Sequence, residues 1–284
     1  MRSFRKVPFL AMAFLLSSLA GEAFSQEKVI LDDDFGSFSP TLIMLLHSKQ
    51  VEVLGVTVVA GNSWMETETA NVTSLMQRLG RRDVPIVPGA GEPLMGNRQP
   101  WYEHEERLFG NAEYLGAFSR PRPEALKPGK ENAVDFIVRA PFKQQIVVPD
   151  DICEKVFYTK AIFDRIASAP DTTVVKMFRD RQGPMFQSDP KRQSFIWDEL
   201  TAAILLKPEI VTKMEERYID IDVNYGPNFG RSIGYHPSRR RSLSSPENFP
   251  AGTQKVKIVF DINRDAFWDL YVSLMTKPDV PAGK

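Results

Sequence analysis

The chain has 284 residues, of which 43% are hydrophobic and 25% charged, with 36 basic against 36 acidic side chains. These proportions are typical of a globular protein and exclude a disordered chain, a collagen-like repeat and a disulfide scaffold. A formal net charge of zero gives no electrostatic reason to expect nucleic acid as a partner. The single cysteine, Cys153, excludes an internal disulfide and a cysteine-rich metal site, and we expect it to be buried.

Residues 1–25 have the pattern of a secretory signal peptide. Basic residues precede an apolar run at 9–19, and small residues at 23–25 match a cleavage site. We therefore expect a mature domain over 26–284 that is secreted or periplasmic and free of the membrane after cleavage. The alternative is that the apolar run stays attached as an uncleaved membrane anchor.

Apolar patterning after the signal peptide alternates between strand and helix. It predicts strands at 28–32, 51–59 and 84–87, with helices at 42–47 and 67–79 between them. This order predicts an α/β fold with an open, mainly parallel sheet flanked by helices. Later strands are predicted at 144–148, 218–223 and 255–262, and later helices at 131–140, 159–167, 194–206 and 264–275.

Three consecutive aspartates, Asp32, Asp33 and Asp34, follow the first predicted strand. Ligands of parallel sheets bind beyond the carboxyl ends of the strands, which is where these side chains lie. Adjacent carboxylates repel one another, and a hard cation such as calcium would relieve that repulsion. Because alternate strand residues face the same side, we expect Asp32 and Asp34 to share a site and Asp33 to point away. An exposed acidic turn is the alternative.

Two segments resemble the opening of the inosine/uridine-preferring nucleoside hydrolase family: residues 29–36, VILDDDFG, and residues 54–62, LGVTVVAGN. Residues 84–94, 146–150 and 197–203 resemble the family's third strand, a later strand and its metal-binding helix. The resemblance covers both ends of the mature chain. It implies the open α/β fold of that family.

The resemblance also implies an activity, hydrolysis of the N-glycosidic bond of ribonucleosides, with a nucleoside or other riboside as the small-molecule partner and calcium as the cofactor. Carried over residue by residue, Asp34 is a calcium ligand and the general base, and Asp32 and Asp198 are further calcium ligands. Asn62 contacts the ribose. Trp197 stands where the family commonly has a histidine that assists the leaving base; its indole can stack on a nucleobase but is no acid near neutral pH. A homo-oligomer is compatible with this interpretation.

Besides Trp197, the chain departs from the family pattern at two further places. Phe38 and Ser39 stand where the family has two adjacent aspartates, one of them a calcium ligand. The family's central segment is absent near 140–141, which predicts that part of the central sheet is missing. The alternatives are therefore a hydrolase with weak or lost activity and a non-catalytic relative that binds a nucleoside or sugar. A third is a phosphatase that uses Asp32 and Asp34 as a nucleophile pair.

Overall fold

The computed structural model describes residues 26–61, 63–89, 142–222, 231–235, 249 and 252–279. The predicted signal peptide (1–25), the helix predicted at 131–140 and Asn62 lie outside the described residues. Within the described part of the chain, no helix is long and apolar enough to cross a membrane.

The described residues form nine strands and seven α-helices. The strands are β1 (Glu27–Asp33), β2 (Val51–Val58), β3 (Ile86–Pro88), β4 (Ile146–Val147), β5 (Phe157–Tyr158), β6 (Ser194–Phe195), β7 (Val211–Ile221), β8 (Ser232–Tyr235) and β9 (Gln254–Ile262). The helices are α1 (Pro40–His47), α2 (Met65–Arg78), α3 (Asp150–Cys153), α4 (Lys160–Ala167), α5 (Thr173–Ser188), α6 (Asp198–Leu206) and α7 (Arg264–Met275).

The first three strands form a parallel sheet in the order β1-β2-β3. Helices α1 and α2 connect them, as parallel strands require a crossover rather than a hairpin. Asp33 pairs with Val58, and Val58 pairs with Pro88, so the carboxyl ends of all three strands lie at one edge. The predicted α/β fold with a parallel sheet and helices is confirmed.

The second half of the chain adds two smaller sheets. Strands β4, β9, β7 and β8 pair in that order, with β4 parallel to β9 and β7 antiparallel to both of its neighbours. Strands β5 and β6 form an antiparallel pair. The predicted gap in the central sheet falls within 90–141, outside the described residues, and stays a prediction.

Helix α1 lies in the core and anchors the segment that follows β1. The Ser39 hydroxyl accepts an N–H of the first turn at 3.2 Å, and Pro40 occupies the first position, where its missing N–H costs nothing. Every residue of Thr41–His47 is buried because α1 packs against both α6 and α7. The buried His47 ring is satisfied, since its Nδ1 lies 2.8 Å from the carbonyl oxygen of Leu274.

Candidate active site

Three carboxylates meet at the carboxyl edge of the parallel sheet, and we call them the aspartate group: Asp33, Asp34 and Asp198. Asp33 ends β1, Asp34 follows it, and Asp198 begins α6. One oxygen from each of the three carboxylates lies within 4.8 Å of the other two. Because β1 and α6 are far apart along the chain, it is the packing of the tertiary structure that assembles this group.

Asp32 lies outside the aspartate group, and its expected pairing with Asp34 is corrected. The Asp32 carboxylate accepts a hydrogen bond from the Thr57 hydroxyl on the neighbouring strand β2. The strand ends at Asp33, so the alternation of side chains that predicted the pairing no longer holds at Asp34. Asp33 Oδ1 instead accepts the Asp34 N–H at 2.9 Å, and Asp33 takes the place that was expected for Asp32.

The aspartate group concentrates negative charge where water is partly excluded. Burial, followed by the charges of Asp198 and Asp34, raises the pKa of Asp33 to about 7. Burial also raises the pKa of Asp198. A hard cation would offset this repulsion, and the all-oxygen donor set fits calcium, which takes about six to eight oxygen ligands. Water and substrate oxygens would have to supply the rest.

A further acid, Glu68 of α2, lies behind the aspartate group. Its side chain is completely buried, and the carboxylate accepts the N–H groups of Ser63 and Gly61. Gly61 in turn lies against Asp34, because a Cβ at position 61 would fall 2.0 Å from Asp34 Oδ2. Burial, followed by the charge of Asp34, raises the pKa of Glu68 to about 9. The predicted ribose contact, Asn62, belongs to this loop but lies outside the described residues.

Trp197 presents an aromatic ring immediately before Asp198. The residue is 51% exposed, although its indole is held from two sides. Its Nε1–H donates to Asp150 Oδ1 at 3.1 Å, and Phe195 packs edge-on with ring centroids 6.1 Å apart. An exposed ring in a fixed orientation can stack on a flat ligand.

Two other titratable residues, Glu199 and Cys153, lie near the start of α6. Glu199 Oε2 accepts the Trp197 N–H at 3.3 Å, and burial raises the pKa of Glu199 to about 7. Cys153 is buried as predicted, and burial together with the charges of Asp150 and Asp198 raises its pKa to about 11. Because the thiolate is the nucleophilic form of cysteine, this thiol is poorly suited to covalent chemistry.

Phe38 and Ser39 stand where the family resemblance leads one to expect aspartates, and both take structural roles. Phe38 packs near Phe178 of α5, with ring centroids 6.2 Å apart. The Ser39 hydroxyl is used in the cap of α1. A cation at the aspartate group would therefore receive no carboxylate from these two positions.

Residues 29–148 match the sequence model of a family described as inosine-uridine preferring nucleoside hydrolase. Over these residues the sequence is similar to that of the hydrolases, and the match covers less than half of the chain. The match covers β1 to β4 and so includes Asp33 and Asp34, whereas Asp198 lies beyond it.

Curated proteins of known name are similar to this chain over a stretch of comparable length. A probable uridine nucleosidase 2 of Oryza sativa subsp. japonica is 32% identical over 115 residues, which are 40% of this chain and 33% of that protein. The inosine-uridine preferring nucleoside hydrolase of Leishmania major is 35% identical over 93 residues, 32% of this chain and 30% of that protein. The matched part of the chain thus spans about a third of the length of these relatives.

The fold extends the likeness beyond the matched sequence. A solved plant nucleoside hydrolase superposes with a TM-score of 0.66 at 17% identity, covering 89% of this chain and 100% of that one. At this identity the likeness concerns the fold. The superposed share of the chain is therefore larger than residues 29–148, which the sequence model matches.

Two acids near this site, Glu68 and Glu199, were not predicted from the sequence. The sequence contained one feature that could have indicated them. Each lies in the first turn of a helix, where the helix dipole favours negative charge. Position in a first turn is common to many surface acids, so it did not single out these two.

Proposed function

We propose that this protein hydrolyses the N-glycosidic bond of ribonucleosides. The observation that carries the proposal is the aspartate group, in which the end of β1 and the start of α6 bring three carboxylates within 4.8 Å of one another. The names of the relatives support the reaction class, since they are a probable uridine nucleosidase and an inosine-uridine preferring nucleoside hydrolase. The substrate would be a nucleoside or a similar riboside.

Asp34 is the general base of the proposed reaction. Its carboxylate accepts a proton from water while the water oxygen bonds to the anomeric carbon of the ribose and the C–N bond breaks. The electron pair of that bond leaves with the nucleobase, which takes a proton from solvent because the Trp197 indole is no acid. Asp34 then returns its proton to solvent, and the products are free ribose and free base.

Calcium is the cation that we propose for this site, held by Asp33, Asp34 and Asp198. When bound, it would supply positive charge toward the ribose hydroxyls and the attacking water. Trp197 would stack on the nucleobase, since its exposed ring directly precedes Asp198 and is fixed by Asp150. Asn62 remains the proposed ribose contact.

The test is ribose release from inosine and uridine, measured with calcium and after chelation. We expect Asp34→Asn and chelation each to lower the rate by about a hundredfold or more, the usual scale for a lost general base. Asp265→Asn is the matched control, because Asp265 is an exposed aspartate in the first turn of α7. Release that is absent, or that resists both chelation and Asp34→Asn, would refute the proposal.

The alternative is a non-catalytic relative that binds a nucleoside or sugar. It is favoured by the structural roles of Phe38 and Ser39, which leave the aspartate group without the family's further carboxylate. Titration calorimetry with inosine decides between the two. Inosine binding without any ribose release supports the alternative. Ribose release that depends on Asp34 contradicts it.

We also propose that the protein is exported and that residues 1–25 are removed. The support is the basic, apolar and small-residue pattern of that segment. Expression of the full chain in a host with a secretory pathway, followed by mass spectrometry of the exported protein, should give Gln26 as the first residue. A product that keeps Met1 and stays with the membrane would support the uncleaved anchor.

A further inference from the structure

Glu68 is a buried carboxylate that the proposed reaction does not use. Its side chain is 0% exposed, and one of its oxygens, Oε2, is buried without a hydrogen-bond partner in the described part of the chain. A buried oxygen that lacks a partner costs free energy. An apolar side chain would avoid that cost, so the polar group at this position calls for an explanation.

The contacts of Glu68 lead directly to Asp34. The carboxylate accepts the Ser63 N–H and the Gly61 N–H, so it reaches back over the start of α2 and holds the loop that follows β2. Gly61 N–H also approaches the Ser63 carbonyl oxygen at 3.3 Å, which closes the loop on itself. In this position of the loop, the backbone of Gly61 lies directly against the carboxylate of Asp34.

We propose that Glu68 is a positioning residue, which holds the loop at Gly61 and Ser63 against Asp34 and so fixes the orientation of the Asp34 carboxylate. The inference rests on the proposed function for the task that Asp34 performs. Glu68 itself is not one of the three residues whose oxygens share the 4.8 Å group, so it acts through the loop and not as a ligand. Groups that orient metal ligands in this way typically change metal affinity by about 10- to 100-fold when removed.

Positioning depends on the reach of the side chain, whereas a direct role of the charge depends on its ionisation. Two variants separate these properties. Glu68→Gln keeps the length and an acceptor oxygen for the loop N–H groups but carries no charge. Glu68→Asp keeps an ionisable carboxyl group but is one methylene shorter and cannot reach the loop. Thr73→Ala is the matched control on the same helix, since among the described residues the Thr73 hydroxyl bonds only to the Thr69 carbonyl oxygen, at 2.7 Å.

The first measurement is calcium affinity by titration calorimetry. We expect wild type, Glu68→Gln and Thr73→Ala to agree within about threefold, and Glu68→Asp to bind at least about tenfold more weakly. The reverse order, with Glu68→Asp unchanged and Glu68→Gln weakened, would overturn the inference, because charge would then matter and reach would not. If Glu68→Asp does not fold, Glu68→Gln alone tests the inference. A tenfold loss of calcium affinity in Glu68→Gln would contradict positioning by an acceptor oxygen.

The second measurement is hydrogen exchange of the Ser63 amide, followed by NMR. We expect protection in wild type and Glu68→Gln and exchange at least about tenfold faster in Glu68→Asp, at a global stability confirmed by circular dichroism. Equal exchange in all three proteins would overturn the inference even if calcium does not bind. A wild type that binds no calcium but shows the expected exchange pattern would contradict the proposed function and leave the positioning role supported.

Discussion

The Cα of Gly61 lies so close to the carboxylate of Asp34 that a Cβ at position 61 would fall 2.0 Å from Oδ2 and 2.5 Å from Cγ. No side chain can occupy that space unless Asp34 moves. Asp34 has a short side chain, so its carboxylate cannot move aside and still remain in the aspartate group. Glycine at position 61 is therefore a condition for the geometry of the site.

Gly61→Ala is expected to weaken both calcium binding and ribose release by about tenfold or more, because the added methyl group displaces the Asp34 carboxylate. Gly183→Ala in α5 is the matched control, since the one described atom that its Cβ would approach is Phe163 Cζ, at 4.0 Å. In a helix that substitution should be neutral or stabilising by up to about 1 kcal/mol. Calorimetry and thermal melts measure both variants, and wild-type calcium affinity in folded Gly61→Ala would contradict the expectation.

The placement of Asp33 rather than Asp32 in the aspartate group predicts that only one of two neighbouring substitutions weakens calcium binding. Asp33→Asn removes a negative oxygen from the group and should weaken calcium binding by about tenfold or more. Asp32→Asn keeps a carbonyl oxygen that can still accept the Thr57 hydroxyl, so calcium affinity should stay within about threefold. A larger loss in Asp32→Asn than in Asp33→Asn would restore the arrangement that strand alternation predicted.

The metal-free protein is expected to lose stability as the pH rises from about 5 to 9. Folding raises the pKa of Glu68 to about 9 and that of Asp33 to about 7. Between the unfolded and the folded pKa the native state binds more protons than the unfolded state, so the free energy of unfolding falls with rising pH. The stabilisation is complete below the unfolded values and is lost for Asp33 above about pH 7 and for Glu68 above about pH 9.

Urea denaturation in the presence of a chelator, at three pH values across this range, measures that slope. Glu68→Gln should flatten it, because glutamine does not titrate. Glu52→Gln is the control, since Glu52 is exposed on β2, and it should keep the wild-type slope. Identical slopes in wild type and Glu68→Gln would show that Glu68 ionises normally in the folded protein.

Calcium is expected to raise the melting temperature, and to do so more at pH 8 than at pH 5.5, because protons compete for Asp33 near its pKa of about 7. At a free calcium concentration of 100 times the Kd the stabilisation is about 2.7 kcal/mol. Thermal denaturation with calcium or with chelator measures the shift. In Asp198→Asn, calcium should raise the melting temperature only slightly. A rise as large as that of the wild type would show that the cation binds elsewhere.

Trp197 is expected to contribute to substrate affinity through its exposed ring. Trp197→Ala should raise the KM for inosine by about tenfold, since stacking on a base is worth about 1–3 kcal/mol, with a smaller change in kcat. Trp197→Phe keeps a ring but loses the hydrogen bond from Nε1–H to Asp150. Its KM should therefore lie between those of the wild type and Trp197→Ala. Steady-state kinetics test this order, and an unchanged KM in Trp197→Ala would exclude stacking on Trp197.

Local sequence accounts for the first βαβαβ segment to within about two residues at each boundary. The predicted strands at 28–32 and 51–59 correspond to β1 and β2, and the predicted helix at 67–79 corresponds to α2. Their apolar residues repeat at the spacing of one structure type, and glycines mark the ends. Helix α5 was not predicted, because Gly183 and Pro184 within it are typical helix breakers.

Packing explains why α5 forms in spite of those two residues. Val174, Val175 and Phe178 are buried before the break, and Phe186 is buried after it. The gain from burying a helix face of this size exceeds the local penalty of a glycine and a proline. Such a gain depends on which elements lie opposite, and the pattern of one segment does not contain that information.

The amino-acid sequence determined the chemistry available to this site: the aspartates that follow β1, the tryptophan-aspartate pair that begins α6, and a likeness to nucleoside hydrolases that supplied Asp34 and Asp198 as candidates. Tertiary structure decided that Asp33 joins them and Asp32 does not, and it brought Glu68 behind Asp34 through the loop at Gly61. The reason is physical. Residue types limit which atoms can bind a cation, but distances of a few ångströms between β1, α2 and α6 exist only once these elements pack together.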